Sequence, residues 1–138
     1  MGNRLGVMAM ASLLVAGCAS MPGLSDEDTV KRYSQARQQA LKEGMFEKAY
    51  EYMAPGYRAT NDIKRFKLDY AGASRLKSSK IKSVTCEPDV CSISVVIEYE
   101  AAVSPRATTL GAKPMLVERV SEERWVKVDN KWWFARSD

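Results

Sequence analysis

The hydrophobic periodicity of this chain predicts an α+β fold: three N-terminal helices packed on a four-stranded antiparallel sheet. Three observations carry that expectation. Apolar residues recur at helical spacing from Val30 to Tyr70, then switch to strict alternation after Lys80. Two short turns, Glu87-Pro88-Asp89-Val90 and Asp129-Asn130, fold the alternating segments back on themselves. Helices segregated in sequence from a strand meander define the α+β class.

Taken in order, Ser25 can cap the first helix, with Asp28 at the capping-box position and acids in the first turn. Val30, Tyr33, Ala36, Ala40 and Leu41 form its apolar stripe, and Gly44 ends it. Phe46, Ala49, Tyr50 and Met53 fall at i, i+3, i+4 and i+7 of a second, short helix that Pro55-Gly56 terminates. Thr60 or Asn61 then caps a third, carrying Ile63, Phe66 and Tyr70 inward until Gly72 stops it.

Lys80 to Glu87 is expected as the first strand. Cys91, Ile93, Val95, Ile97, Tyr99, Ala101 and Val103 occupy every second position of the next, a long half-buried strand. Pro105 to Pro114 reads as a loop, and Met115 to Val128 as the third strand. A two-residue turn at Asp129-Asn130 would place Trp125 opposite Phe134, Val126 opposite Trp133 and Lys127 opposite Trp132. Alternation then sends Trp125, Trp132 and Phe134 to one face of the sheet and Val126, Val128 and Trp133 to the other. Aromatics on a closing hairpin serve as cross-strand pairs and core filler, or, where exposed, as a ligand or partner surface.

The amino terminus has a different character. Leu5 to Ala16 is apolar but too short for a membrane span, which needs about 20 residues. With Arg4 before it and Val15, Ala16 and Gly17 directly ahead of Cys18, it has the layout of a cleaved bacterial lipoprotein signal. On that reading, residues 1–17 are the signal peptide and 18–25 a lipidated tether. Residues 26–138 are then one α+β domain. Val15, Ala16 and Gly17 form the signal peptidase recognition site, and Cys18 receives the lipid. Several acyl chains on one cysteine make a durable anchor, at about 0.8 kcal/mol per buried methylene. Ala19, rather than Asp, after the cysteine points to the outer membrane facing the periplasm, for a Gram-negative source.

A lipidated Cys18 leaves Cys86 and Cys91 as an even pair around a tight turn. A structural disulfide is expected, since the periplasm is oxidising and a catalytic redox pair favours closer C-x-x-C spacing. The chain contains no His, and with only these two thiols as soft ligands no metal site and no cofactor are expected. Absence of His also removes the commonest general base and any Ser-His or Cys-His nucleophile pair.

Net charge is +4, with Arg58, Lys64, Arg65, Lys67, Arg75, Lys77, Lys80 and Lys82 crowded against only Asp62 and Asp69. Such a band reads as a solvated surface or as a face toward anionic lipid. The envelope address sets nucleic acid aside as a partner.

Two stretches resemble the nuclear transport factor two-like superfamily. One is Phe46-Glu47-Lys48-Ala49-Tyr50-Glu51-Tyr52-Met53-Ala54-Pro55-Gly56-Tyr57-Arg58, similar to an early helix and turn in small bacterial lipoproteins of this kind. The other, Glu123 to Phe134, is similar to their closing hairpin. The resemblance implies helices packed into a curved sheet as a cone, over most of residues 26–138. It also implies that a carboxylate-based isomerase or dehydratase is conceivable on this fold, with Asp69, Glu98 or Glu100 as base and Tyr70 or Tyr99 as donor. Glu98 and Glu100 share the polar face of their strand, however, so no catalytic residue is assigned. The expected function is non-enzymatic: a membrane-anchored envelope lipoprotein that binds a partner protein or a small apolar ligand.

Overall fold

Helix α1 (Asp26–Lys42) begins where the Ser25 hydroxyl accepts the Asp28 backbone N–H at 3.1 Å. It closes at Gly44, whose φ of +71° is cheap only without a Cβ. These coordinates are a computed structural model that describes residues 23–136; Val15, Ala16, Gly17 and Cys18 lie outside the described residues. Among the described residues no helix is long and apolar enough to cross a membrane.

The buried stripe of α1 is Val30, Ser34, Arg37, Gln38, Ala40 and Leu41, whereas Ala36 points outward. The expected stripe therefore had the right helix with part of the wrong face. Next come α2 (Phe46–Tyr50), α3 (Pro55–Thr60) and α4 (Ile63–Asp69), then a 3-10 turn at Ala71–Arg75. Three expected N-terminal helices are thus four. Pro55, read as a terminator, instead occupies the first turn of α3, where its missing N–H costs nothing. Asp62 rather than Thr60 or Asn61 caps α4, accepting the Arg65 N–H at 2.8 Å. The Thr60 and Asn61 side chains bond back to the Tyr57 carbonyl. Gly72 sits within the 3-10 turn, beyond the end of α4.

The sheet is a simple antiparallel meander, β1 (Leu76–Glu87), β2 (Val90–Glu100), β3 (Leu116–Val128) and β4 (Lys131–Ala135). β1 starts four residues earlier than the alternation suggested, and two register shifts, at Leu76/Ser78 and Ile81/Ser83, interrupt its pairing. Such bulges bend a strand and blur its period. β2 stops at Glu100, so Ala101 and Val103 lie beyond it. The expected loop holds a short helix, α5 (Pro105–Thr109), capped by Ser104 onto the Ala107 N–H with Pro105 in its first turn.

The hairpin register matches expectation: Trp125 opposes Phe134, Val126 opposes Trp133 and Lys127 opposes Trp132. Asp129 and Asn130 both take positive φ, +51° and +59°, as a two-residue turn of this hand requires. Trp125, Trp132 and Phe134 are buried, and Trp133 is half-buried on the opposite face. Trp125 is the largest fully buried side chain, ringed by Tyr33, Tyr52 and Phe134 at centroid distances of 6.2, 6.2 and 5.8 Å. Val30, Ala49, Met53, Phe66, Ile93 and Val95 complete the core between the helices and the sheet.

Two long-range fastenings close the structure. Asp26 at the start of α1 accepts the Trp132 indole N–H at 2.9 Å and the Lys127 ammonium at 3.1 Å. Phe134 donates its N–H to the Tyr52 carbonyl at 2.7 Å and accepts the Ala54 N–H at 2.9 Å, stitching β4 to the α2–α3 connection.

Cys86 and Cys91 are disulfide-bonded as neighbours across the β1–β2 turn. Reducing this bond in the intact protein is expected to destabilise it by about 2 kcal/mol, the loop-entropy value for so small a ring. The check is the shift in urea midpoint on adding reductant. Reduction is the cleaner perturbation, because Cys91 is fully buried and a serine there would also bury a hydroxyl. No change in midpoint would show that the native turn already holds the strands without it.

Candidate functional site

The interior is not apolar throughout. Counting back from Trp125 along β3 gives buried Glu123, half-buried Ser121 and exposed Arg119, three polar residues of one parity. Opposite them α1 contributes Arg37 and Gln38. Between these elements and the 3-10 turn lies an open cleft of about 490 Å³. Leu41, Tyr70, Leu76, Ile97 and Tyr99 form apolar parts of its wall, and Arg37, Glu123 and Phe134 also line it.

Polar groups in the cleft are among the most buried in the molecule. Arg37 is 2% exposed, Glu123 3% and Gln38 8%. Gln38 Nε2 donates to Glu123 Oε1, and the Trp125 indole N–H donates to Oε2 at 2.9 Å. Arg37 Nη1 stands 3.5 Å from Oε1. Both oxygens of Glu123 are therefore held by donors, which fixes the carboxylate and leaves it poorly placed to take a proton from a substrate. The Arg37 guanidinium carbon lies 3.6 Å from the centroid of Phe134 and 5.1 Å from that of Tyr70, between two aromatic rings.

Of the residues weighed from sequence as a base or donor, Tyr70 and Tyr99 line this cleft, and the three acids do not. Glu100 pairs with Lys77 at 3.0 Å, and Glu98 opposes Glu118 across the β2–β3 ladder. Asp69 belongs to a separate cluster. It accepts from Arg136 and from the Tyr57 hydroxyl at 3.2 Å, and pairs with Arg65 at 3.1 Å. Burial pushes its carboxyl upward, but the hydrogen bond and charge of Arg136, with Arg65 and Tyr57, more than reverse this and hold it below the ordinary aspartate value. The basic band is likewise partly neutralised: Arg65, Lys67 and Lys77 are ion-paired, and Arg58 lies 4.8 Å over Trp133.

Arg37, Gln38 and Glu123 were not singled out from sequence. The available signal was their position: 30, 34, 37, 38 and 41 lie on one helical face, and 123 shares parity with the core residue Trp125. Among the described residues no group of three or more metal-ligating side chains gathers.

Asp26 is also held below its usual value, first by the Trp132 indole hydrogen bond and then by Lys127. A depressed folded-state pKa adds stability that is complete above the unfolded value and is lost as pH falls through the folded one. Unfolding free energy is therefore expected to drop between neutral pH and about pH 3, with Asp26 and Asp69 among the carboxylates responsible. Urea titrations of the wild type and of D26N/D69N test this: the double variant should be less stable at neutral pH and show a shallower acid loss. An unchanged slope would remove these two groups from the explanation.

No family model matches the chain, and no curated protein matches it. Solved structures do. A SEC-C motif-containing protein from Psychrobacter arcticus superimposes with a TM-score of 0.60 at 15% identity, over 80% of this chain and 60% of that one. An NTF2-like candidate transpeptidase from Campylobacter jejuni gives 0.51 at 17% identity, over 80% and 97%. An NTF2-like protein of unknown function from Shewanella oneidensis gives 0.50 at 11% identity, over 78% and 92%. Identities this low speak to architecture and not to activity. The chain has an NTF2-like α+β fold, with four antiparallel strands and their helices arranged as in these structures.

Proposed function

We propose that this protein is a lipid-anchored envelope protein whose cleft binds a small, largely apolar ligand without chemical conversion. The observation that carries the reading is the cleft itself. Its volume of about 490 Å³ falls within the usual range for small-molecule sites, and residues of α1, the 3-10 turn and all four strands line it. Glu123, the buried acid in its wall, is tied to three donors, which argues against the carboxylate-base enzyme otherwise compatible with this fold. The anchor rests on the small-residue sequence ahead of Cys18, and the tether that follows is short enough to keep the domain at the membrane.

Two measurements test the two halves. Mass spectrometry of the mature amino terminus should find an acylated Cys18, and C18S should release the protein from membranes; an intact Met1 would refute the anchor. For the cleft, N-phenyl-1-naphthylamine, an uncharged apolar dye, should brighten on binding the protein. Ile97→Trp, which fills the cleft from β2, should weaken that binding by about tenfold while leaving the far-ultraviolet circular dichroism unchanged. Dye binding indifferent to Ile97→Trp in a folded protein would place the ligand elsewhere and sink the reading.

A further inference from the structure

Arg37 is the anomaly in the cleft. A guanidinium presents five N–H donors. Three of them, on Nε and Nη2, have no hydrogen-bond partner although both atoms are buried. The remaining nitrogen, Nη1, reaches Glu123 only at ion-pair range, 3.5 Å. Glu123 does not satisfy the rest: its two oxygens accept from Gln38 and Trp125, and Arg37 Nε and Nη2 remain without partners. Buried donors without acceptors are costly, and native proteins rarely keep them without a reason.

Surrounding charge points the same way. Arg75 and Arg119 also line the cleft, and among the described residues neither is in an ion pair. Glu122, the second acid in the wall, is exposed and accepts a hydrogen bond from Ser94 at 2.7 Å. The cleft wall thus carries four arginines, of which Arg136 is paired with Asp69, against one buried carboxylate that is already engaged. Beside them stand Leu41, Leu76 and Ile97, which have no polar atoms to offer a ligand.

We infer that the ligand is an amphiphile: a short apolar chain bearing an anionic head, either a carboxylate or a phosphate monoester. The inference rests on the proposal that the cleft binds a small ligand. The head pairs with the Arg37 guanidinium, whose planar fork suits two oxygens of one acid group. Arg75 and Arg119 add attraction at the rim, and the chain lies along Leu76 and Ile97.

Isothermal titration of the intact protein with sodium octanoate, octyl phosphate and octanol separates the possibilities. All three share one apolar chain and differ only in the head. At least one anion is expected to bind about tenfold more tightly than octanol, with the advantage shrinking as salt is raised. Whichever anion is favoured identifies the head. Arg37→Lys, which keeps the charge but loses the fork, should reduce the preference, and so should Arg119→Gln, which leaves the buried network untouched. Equal affinity for octanol and both anions would overturn the anionic assignment and leave the cleft's ligand-binding role standing. No binding of any of the three would overturn both.

Discussion

Trp125→Ala is expected to cost about 4 kcal/mol of folding stability, in the upper range for a large aromatic removed from a core. Total stabilities of single domains are about 5–15 kcal/mol, so this change alone brings the protein close to unfolding. Two effects add at this position. The indole fills the space between Tyr33, Tyr52 and Phe134, and alanine leaves a cavity there that fixed backbone on β3 and β4 cannot close. Its N–H also holds Glu123 Oε2, so truncation strips a buried carboxylate of a donor. Urea denaturation followed by circular dichroism measures the loss. A cost below about 1.5 kcal/mol would mean that the hairpin does not anchor the core as described.

Glu123→Ala is expected to be of similar size, about 3–5 kcal/mol, for an electrostatic reason. Arg37 would remain almost fully buried beside Phe134 with its nearest counter-charge gone, and Gln38 and Trp125 would each lose an acceptor. Breaking a buried pair is worse than replacing it. R37M/E123L, which substitutes apolar groups for both ions, should therefore be more stable than E123A alone. Thermal and urea unfolding of R37M, E123L and the double variant R37M/E123L give the coupling energy. Strict additivity would show that Arg37 and Glu123 do not sense each other across their 3.5 Å separation.

How far these features could be read from the chain depends on what each element shows locally. The β3–β4 register was legible because Asp129-Asn130 is a strong turn signal and Trp125, Trp132 and Phe134 share one parity. The disulfide was legible from two cysteines flanking a tight turn, with Cys18 set aside for lipid and an oxidising compartment expected. α3 was not, because Pro55-Gly56 reads as a helix stop, whereas α2 has already ended at Tyr50 and Pro55 starts the next helix; proline serves either purpose. The start of β1 was hidden by two bulges that break period two. The cleft was missed for a more general reason. Arg37 and Glu123 are polar, and apolar patterning assigns polar residues to solvent unless their position on the buried face is weighed above their chemistry. Ala36 stood in the expected stripe, yet the structure leaves it exposed and buries its neighbour Arg37.

The clasp of Asp26 on Lys127 and Trp132 joins residues 101 and 106 positions apart, and Phe134 closes on Tyr52 and Ala54 across 82 and 80 positions. At roughly 5–20 residues per second, about 100 residues take some 5–20 s to emerge from a ribosome. Throughout that interval α1 lacks the partners that complete its first turn, and the core lacks the aromatic wall of β4. Contacts between the two ends of a chain are also the slowest to form. The core accordingly cannot close until β4 has been made, and a message truncated ahead of Lys131 encodes a domain that stays open.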